Sequence, residues 1–267
     1  MDFTFIEELR RLLERENVFG WSFLLSGCKA MALALLLFKL LNTYISDFDN
    51  ETPKLGNVFN LIGYACIIMS CDWIIGFIEG LFSQIDGMVA STPSNLYSRM
   101  NQILEQQMEV YNSDDIGFFD MTIDIIFSFF FYVCFSIVSF IFNVADMALT
   151  CSYLLTRVFL IQLMKLLFPL IIAMSTLDLT KDLLGKWIKK YIGLLILGLA
   201  YIAIINFTNV VQELLVKQFL SDDGTNFASI GYMSPTFVGC LITTIVVFSV
   251  KFKLFTMVTS YITNFFS

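Results

Sequence analysis

Two long stretches of the chain contain no charged residue: YIGLLILGLAYIAIINFTNVVQ at 191–212 and TNFASIGYMSPTFVGCLITTIVVFSV at 225–250. A transmembrane helix needs about 20 mostly apolar residues, because the hydrocarbon core offers backbone amides and carbonyls no hydrogen-bond partner. The two stretches hold 22 and 26 residues, so each is long enough to cross a bilayer. They predict an integral membrane protein built from helices.

The composition of the whole chain agrees with this prediction. Apolar residues make up 57% of the 267 residues and charged residues 15%, and the mean hydropathy is +0.77. A soluble domain of this length uses fewer apolar residues for its core. Four further stretches rich in Phe, Leu and Ile carry only occasional charges, at 18–41, 57–82, 116–142 and 152–177. We therefore predict an all-α polytopic transmembrane protein with about six spans, forming a single domain over 1–267.

Two polar segments outside these spans show helical periodicity. At 1–17, apolar residues recur every three or four positions among Arg and Glu; at 86–115, Thr92 and Pro93 suit a helix start and precede a second apolar stripe. The first segment predicts an amphipathic helix that lies on the membrane surface or on a neighbouring subunit. The second predicts an amphipathic helix that packs on the membrane surface, on the chain's own spans or in the groove of a partner. The tail at 254–267 is too short to span, so we expect it to extend the sixth helix or to lie at the interface.

The basic residues are unevenly distributed among the predicted loops. With six spans, ten of the sixteen Lys and Arg residues fall on one side, including those at 181–190 and Lys251 in the tail. Three fall on the other side, among them Arg157. The positive-inside rule then predicts a multi-pass protein with both termini in the cytoplasm.

The sequence contains none of the residue patterns that common enzymes use. It has no His, no phosphate-binding or dinucleotide-binding glycine motif, and six Cys whose spacing does not match metal or redox motifs. We therefore predict no catalytic residues, no cofactor and no metal site. The net charge of −7 and the absence of a basic run argue against a nucleic-acid surface, although a local contact with nucleic acid is left open.

Of the charged residues inside the predicted spans, two acids and two lysines could pair with one another. Asp72 and Glu79 are seven residues apart on one helical face, and Lys29 and Lys165 lie in two other spans. A charge at membrane depth must face protein or water, because exposure to lipid is strongly unfavourable. These residues form a candidate polar network with two possible roles: ion pairs that hold helices together, or the path of a proton or ion.

The most specific pattern lies between the fourth and fifth predicted spans. A span that carries Pro169 and Leu170 is followed by a short polar loop, Trp187, and a basic and aromatic start to the next span that ends in Tyr191. This arrangement resembles the polytopic inner-membrane subunits of type IV secretion systems, the TrbL-like group, and within it the TraJ proteins of conjugative transposons. Phe168 stands where these proteins often have Gly.

The resemblance implies an inner-membrane channel or scaffold component that forms homo-oligomers around a central axis. Such a component helps pass DNA and protein from a separate ATPase toward an outer conduit. The expected partners are membrane lipid, further copies of the chain and other subunits of a secretion or conjugation complex. The residues themselves leave two alternatives open: a secondary transporter or channel that uses the intramembrane acids, or a membrane anchor of another injection or motility apparatus.

Overall fold

The structure, a computed structural model, describes Glu8 and residues 21–48, 55–80, 121–177, 180–220 and 235–266. Helix is the only regular secondary structure in these residues. The helices are α1 (Trp21–Phe48), α2 (Leu55–Met69), α3 (Cys71–Gly80), α4 (Met121–Ser175), α5 (Leu183–Leu220) and α6 (Pro235–Phe265). Apart from Glu8, the amphipathic helices predicted at 1–17 and 86–115 lie outside the described residues.

Four helices are long and apolar enough to cross a membrane in the described part of the chain. The qualifying segments are Ser22–Ile45, Val133–Ser175, Leu183–Gln218 and Gly239–Phe265. A fifth crossing is possible only if Val58–Met69 and Cys71–Gly80, which meet at a bend of 59°, are counted as one span. The prediction of an all-α protein with membrane-spanning helices is confirmed, whereas the prediction of about six spans is not.

The number of spans differs because two predicted spans share one helix. The stretches at 116–142 and 152–177 both fall largely on α4, which is 55 residues long. The segment between them, NVADMALTC at 143–151, contains no Gly or Pro that would interrupt a helix. Its charged residue, Asp146, is buried rather than exposed in a loop. A dip in hydropathy at this point therefore does not mark a turn.

The bend between α2 and α3 is centred on Ser70. The Ser70 amide donates to the carbonyl of Cys66 at 3.0 Å, and Ile74 continues the pattern by donating to the Ser70 carbonyl at 3.2 Å. The Ser70 hydroxyl also donates to the Cys66 carbonyl, at 2.8 Å. A serine that bonds back to the previous turn is a recognised cause of helix bending. The chain thus changes direction at Ser70, whose own amide and carbonyl both stay hydrogen-bonded.

The chain divides into two compact units, and α4, α5 and α6 each contribute residues to both. Unit 1 consists of Met1–Phe3, Thr92–Tyr153 and Ala200–Val258, and unit 2 of Thr4–Ser91, Leu154–Leu199 and Thr259–Ser267. In unit 2, α1 to α5 bury one apolar core. Its members include Ala32, Leu36, Leu61, Ile68, Ile75, Ile161, Phe168, Ile172, Trp187, Tyr191 and Leu195.

The core of unit 1 joins α4, α5 and α6. Val247 is buried against Phe142, Val211 and Leu215. The helix α6 runs on to Phe265, so residues 254–265 belong to it. Its last turn belongs to unit 2, where the ring of Phe266 lies where a side chain on Gly193 would be.

Candidate functional site

The first pair of predicted intramembrane charges joins α1 to α3. Lys29 Nζ lies 2.6 Å from Asp72 Oδ2, and the Cys71 thiol donates to Asp72 Oδ1 at 3.5 Å. Asp72 stands in the first turn of α3, where the helix dipole favours a carboxylate. Its side chain is nevertheless 61% exposed. A carboxylate with this exposure requires water, a lipid headgroup or another protein at its open side.

The second pair joins α3 to α4, and α5 completes it. Lys165 Nζ lies 2.5 Å from Glu79 Oε1, and the Tyr191 hydroxyl donates to the same oxygen at 3.2 Å. The Lys165 and Glu79 side chains are only 14% and 13% exposed. Because removal of one partner would leave a charge unpaired in a low dielectric, this contact couples the three helices strongly.

The Pro-Leu step of the secretion-like motif lies inside α4, next to this second pair. Pro169 is buried and Leu170 is partly buried. Proline has no amide hydrogen, so Pro169 cannot donate the usual helical hydrogen bond to the carbonyl of Lys165. The missing helical hydrogen bond is therefore the one to the carbonyl of Lys165, the residue whose side chain binds Glu79.

The aromatic residues of the same motif form a stack between α4 and α5. The Trp187 ring lies 4.5 Å from that of Phe168 and 4.9 Å from that of Tyr191. The Trp187 indole also donates to the carbonyl of Met164 at 3.2 Å. Since Tyr191 binds Glu79 as well, the structure brings the motif and the second ion pair together in one cluster.

A buried arginine provides a further link between α4 and α5. Arg157 Nε donates to the Leu194 carbonyl at 3.0 Å, and Nη2 donates to the Leu195 carbonyl at 3.3 Å. A Cβ atom on Gly198 would lie 2.6 Å from Arg157 Cζ and Nη2. The guanidinium can therefore pack against α5 because Gly198 has no side chain.

Unit 1 contains an ion pair that is buried more completely than either pair in unit 2. Lys251 Nζ lies 2.8 Å from Asp146 Oδ2, and the two side chains are 0% and 2% exposed. One and two turns further along α4, the Thr150 hydroxyl donates to the Asp146 carbonyl at 2.9 Å and the Tyr153 hydroxyl lies 3.0 Å from Thr256 Oγ1. This pair links α4 to α6 inside unit 1.

The positions of Arg157 and Lys251 correct the charge distribution predicted from the sequence. The count of basic residues placed Arg157 on the side opposite the cytoplasm and Lys251 in a cytoplasmic tail, but both are buried within helices. The reason is that α4 does not break before Arg157, and α6 does not end after Lys251. The sequence does indicate that α6 continues past Lys251, because LFTMVTSYITNF at 254–265 contains no charge, Gly or Pro. The uncharged run at 225–250 therefore ends at Lys251, in the middle of a helix.

Metal-binding clusters are not found in the described ranges of the chain: no three side chains of His, Cys, Asp or Glu converge there. The candidate functional groups in the described residues are the three interhelical ion pairs, the Arg157 contact and the aromatic stack. No family model matches the chain, and neither a curated protein nor a solved structure matches it.

Proposed function

We propose that this protein is a non-catalytic scaffold or channel subunit of a multiprotein secretion machine in the bacterial inner membrane. The observation that carries the proposal is the pairing of the predicted intramembrane charges, Lys29 with Asp72 and Lys165 with Glu79. Pairs that bridge helices stabilise a fixed arrangement of spans, because breaking either one leaves a charge without its counter-ion. This favours a structural role for these residues over transport, and the resemblance at Pro169 and Trp187 suggests the type of machine.

The length of α4 supports assembly with other protein chains. Its apolar segment Val133–Ser175 has 43 residues, which at 1.5 Å per residue is about 65 Å, roughly twice the thickness of the hydrocarbon core. Apolar helix beyond the bilayer must be covered by protein. Phe140 and Phe159 on this helix are 67% and 58% exposed. We expect further copies and other subunits to cover such side chains, with energy supplied by a separate ATPase.

The proposed orientation has both termini in the cytoplasm, which requires an even number of crossings. Four spans give this result if α2 and α3 enter and leave the membrane on the same face. Twelve basic residues remain when the buried Arg157 and Lys251 and the ion-paired Lys29 and Lys165 are set aside. With the N-terminus in the cytoplasm, four crossings put eight of the twelve on the cytoplasmic side and five crossings put five there. The eight are Arg10, Arg11, Arg15, Lys181, Lys186, Lys189, Lys190 and Lys253. The positive-inside rule therefore favours four crossings.

Native mass measurement in lipid nanodiscs or mild detergent tests the assembly. We expect a homo-oligomer, and we expect Phe140→Ser or Phe159→Ser to shift it toward the monomer. The matched control is Phe38→Ser on α1, where Phe38 is 70% exposed but belongs to a span of 24 residues that lipid alone can cover. A monomeric wild-type protein that moves a small solute into liposomes would overturn the scaffold proposal.

The transporter alternative is favoured by one observation, the exposed carboxylate of Asp72. The substitution Asp72→Asn separates the two functions. If the Lys29–Asp72 pair is structural, the variant accumulates poorly or assembles poorly; if the pair lines a path, the variant accumulates normally and loses transport. Identification of partners in membranes distinguishes a secretion subunit from an anchor of another injection or motility apparatus, since a transfer ATPase marks the former and sheath or tube proteins the latter.

A further inference from the structure

The core of unit 1 contains a row of buried polar side chains where three membrane-spanning helices meet. Each helix contributes members at helical spacing, so they lie on one face of that helix. The buried members are Ser139, Asp146 and Thr150 on α4, Thr208 and Gln212 on α5, and Thr243, Thr244 and Lys251 on α6. Buried polar groups are costly at membrane depth, and ionisable ones there usually mark a path for protons or ions.

The contacts between the helices show that these groups form successive levels. Phe142 packs on Phe248, and Asp146 binds Lys251 further along both helices, so α4 and α6 run parallel. By the same offset, Ser139 lies level with Thr243 and Thr244. The row therefore extends over about three turns in all, about two on one side of the Asp146–Lys251 contact and about one on the other.

The helix α5 runs in the opposite direction through the same levels. The Tyr201 ring packs edge-on against Tyr153 and at a tilt against Phe255 at one end of the row, and Val211 packs against Val247 toward the other end. Thr208 follows Tyr201 by two turns, which places it near the level of the Asp146–Lys251 contact. Gln212 lies one turn beyond.

The hydroxyl groups of the row retain capacity to bind water. Thr150, Thr208 and Thr244 each donate to the carbonyl four residues earlier at 2.8–2.9 Å, and a hydroxyl oxygen that donates in this way also has two lone pairs with which it can accept. Thr243 differs: its side chain is 1% exposed, and Oγ1 has no hydrogen-bond partner within the part of the chain that the structure describes. A buried hydroxyl in that position is stabilised if water reaches it.

We propose that this row is a proton pathway and that the Asp146–Lys251 pair is its exchange site. A proton passes from the Lys251 ammonium to the Asp146 carboxylate across the 2.8 Å contact, which breaks an N–H bond, forms an O–H bond and leaves two neutral groups. The new carboxylic acid releases that proton toward one end of the row. The neutral amine takes up a proton that arrives from the other end. The pair is then restored, and one proton has moved along the row.

The surroundings of the pair suit this exchange. Burial of both groups removes water that would stabilise their charges, which brings the neutral pair closer in energy to the charged pair. Among the described residues, the titratable side chains near this pair include the Cys151 thiol, which interacts with the Lys251 ammonium from α4, and the Tyr153 and Tyr201 hydroxyls. The inference uses only unit 1 and does not depend on the proposed secretion role.

Proton flux into liposomes tests the pathway. The full-length protein is reconstituted in phosphatidylethanolamine and phosphatidylglycerol vesicles that contain a pH-sensitive dye, and valinomycin imposes a potassium diffusion potential. We expect the wild-type protein to acidify the lumen faster than protein-free vesicles do. A wild-type rate equal to that of protein-free vesicles would overturn the proposal.

The substitution Lys251→Arg separates proton exchange from ion pairing. Arginine keeps the positive charge but does not give up its proton in proteins, so flux should fall to the protein-free rate while the pair with Asp146 is retained. The control is Lys217→Arg in the exposed pair with Glu213, 3.0 Å apart on α5, which should leave the rate unchanged. Undiminished flux in Lys251→Arg would overturn the role of the pair.

A second variant decides the question if Lys251→Arg does not fold. Thr243→Val removes a hydroxyl that has no protein partner in the described residues, so a dry and purely structural core tolerates it without loss of stability. If water and protons use the row, the same change slows the flux. A flux equal to that of the wild type would overturn the pathway.

Discussion

Substitution of Gly198 by alanine tests whether the Arg157 contact holds α4 and α5 together. The new methyl group would lie 2.6 Å from Arg157 Cζ and Nη2, much closer than a van der Waals contact. The guanidinium is the end of a flexible side chain and can swing away. It then loses its hydrogen bonds to the carbonyls of Leu194 and Leu195, while the side chain stays in a buried region.

The expected cost follows from those two bonds. Interhelical hydrogen bonds in membranes contribute about 0.6–2 kcal/mol each, and donors with a charge lie at the upper end of that range. Loss of both costs about 2–4 kcal/mol, and alanine offsets about 1 kcal/mol through its better helix propensity. We therefore expect Gly198→Ala to lower the free energy of unfolding by about 1–3 kcal/mol.

The measurement is unfolding by SDS in mixed micelles, followed by helical circular dichroism. The matched control is Gly185→Ala on the same helix, because a Cβ atom at the exposed Gly185 meets nothing within 4 Å. That variant should be unchanged or stabilised by up to about 1 kcal/mol. In an Arg157→Leu background, Gly198→Ala should no longer destabilise, and the difference between backgrounds gives the coupling energy.

Equal effects of alanine at 198 and at 185 would refute the reasoning. Such a result would mean that the guanidinium moves aside at no cost, so that its bonds to α5 contribute little. A loss of stability of the same size in both the wild-type and the Arg157→Leu backgrounds would likewise show that Gly198→Ala does not act through Arg157.

The ion pairs and the orientation lead to further predictions. Lys165→Met should lower the accumulation of folded protein, since a buried carboxylate loses its partner at a cost of about 3–5 kcal/mol, and adding Glu79→Leu should restore much of the loss. Trp187→Phe keeps an aromatic ring in the stack but removes the indole hydrogen bond, so it should destabilise by about 0.5–1.5 kcal/mol in the same SDS titration. A cysteine at position 186 should react with an impermeant thiol reagent only from the cytoplasmic side and one at position 54 only from the opposite side; labelling of both from one side would contradict the proposed crossings.

The helical and membrane-bound character of this protein could be read from its sequence, because that character depends on local composition. An apolar run of 22 residues such as 191–212 has few ways to satisfy its backbone in lipid other than helix formation. The sequence also identified Asp72 and Glu79 as acids that need partners, since an ionised carboxylate facing lipid is strongly unfavourable. These inferences require no knowledge of which helices are neighbours.

The choice of partners was decided only by the tertiary structure. Lys29 and Lys165 were both candidates for either acid, and the packing of α1, α3 and α4 assigns Lys29 to Asp72 and Lys165 to Glu79. Sequence spacing cannot make that assignment, because the paired residues are 43 and 86 positions apart and lie on separate helices.

The length of helices and the depth of charges along them were likewise decided by packing. The dip in hydropathy around Asp146 and the end of an uncharged run at Lys251 resembled a loop and a tail in the sequence, yet the two side chains neutralise each other inside unit 1. Each charge alone would interrupt a span, whereas the pair is compatible with continuous helices because each provides the other's counter-ion. A local hydropathy pattern contains no information about a partner 105 residues away, and so only the folded structure reveals that α4 and α6 continue through these positions.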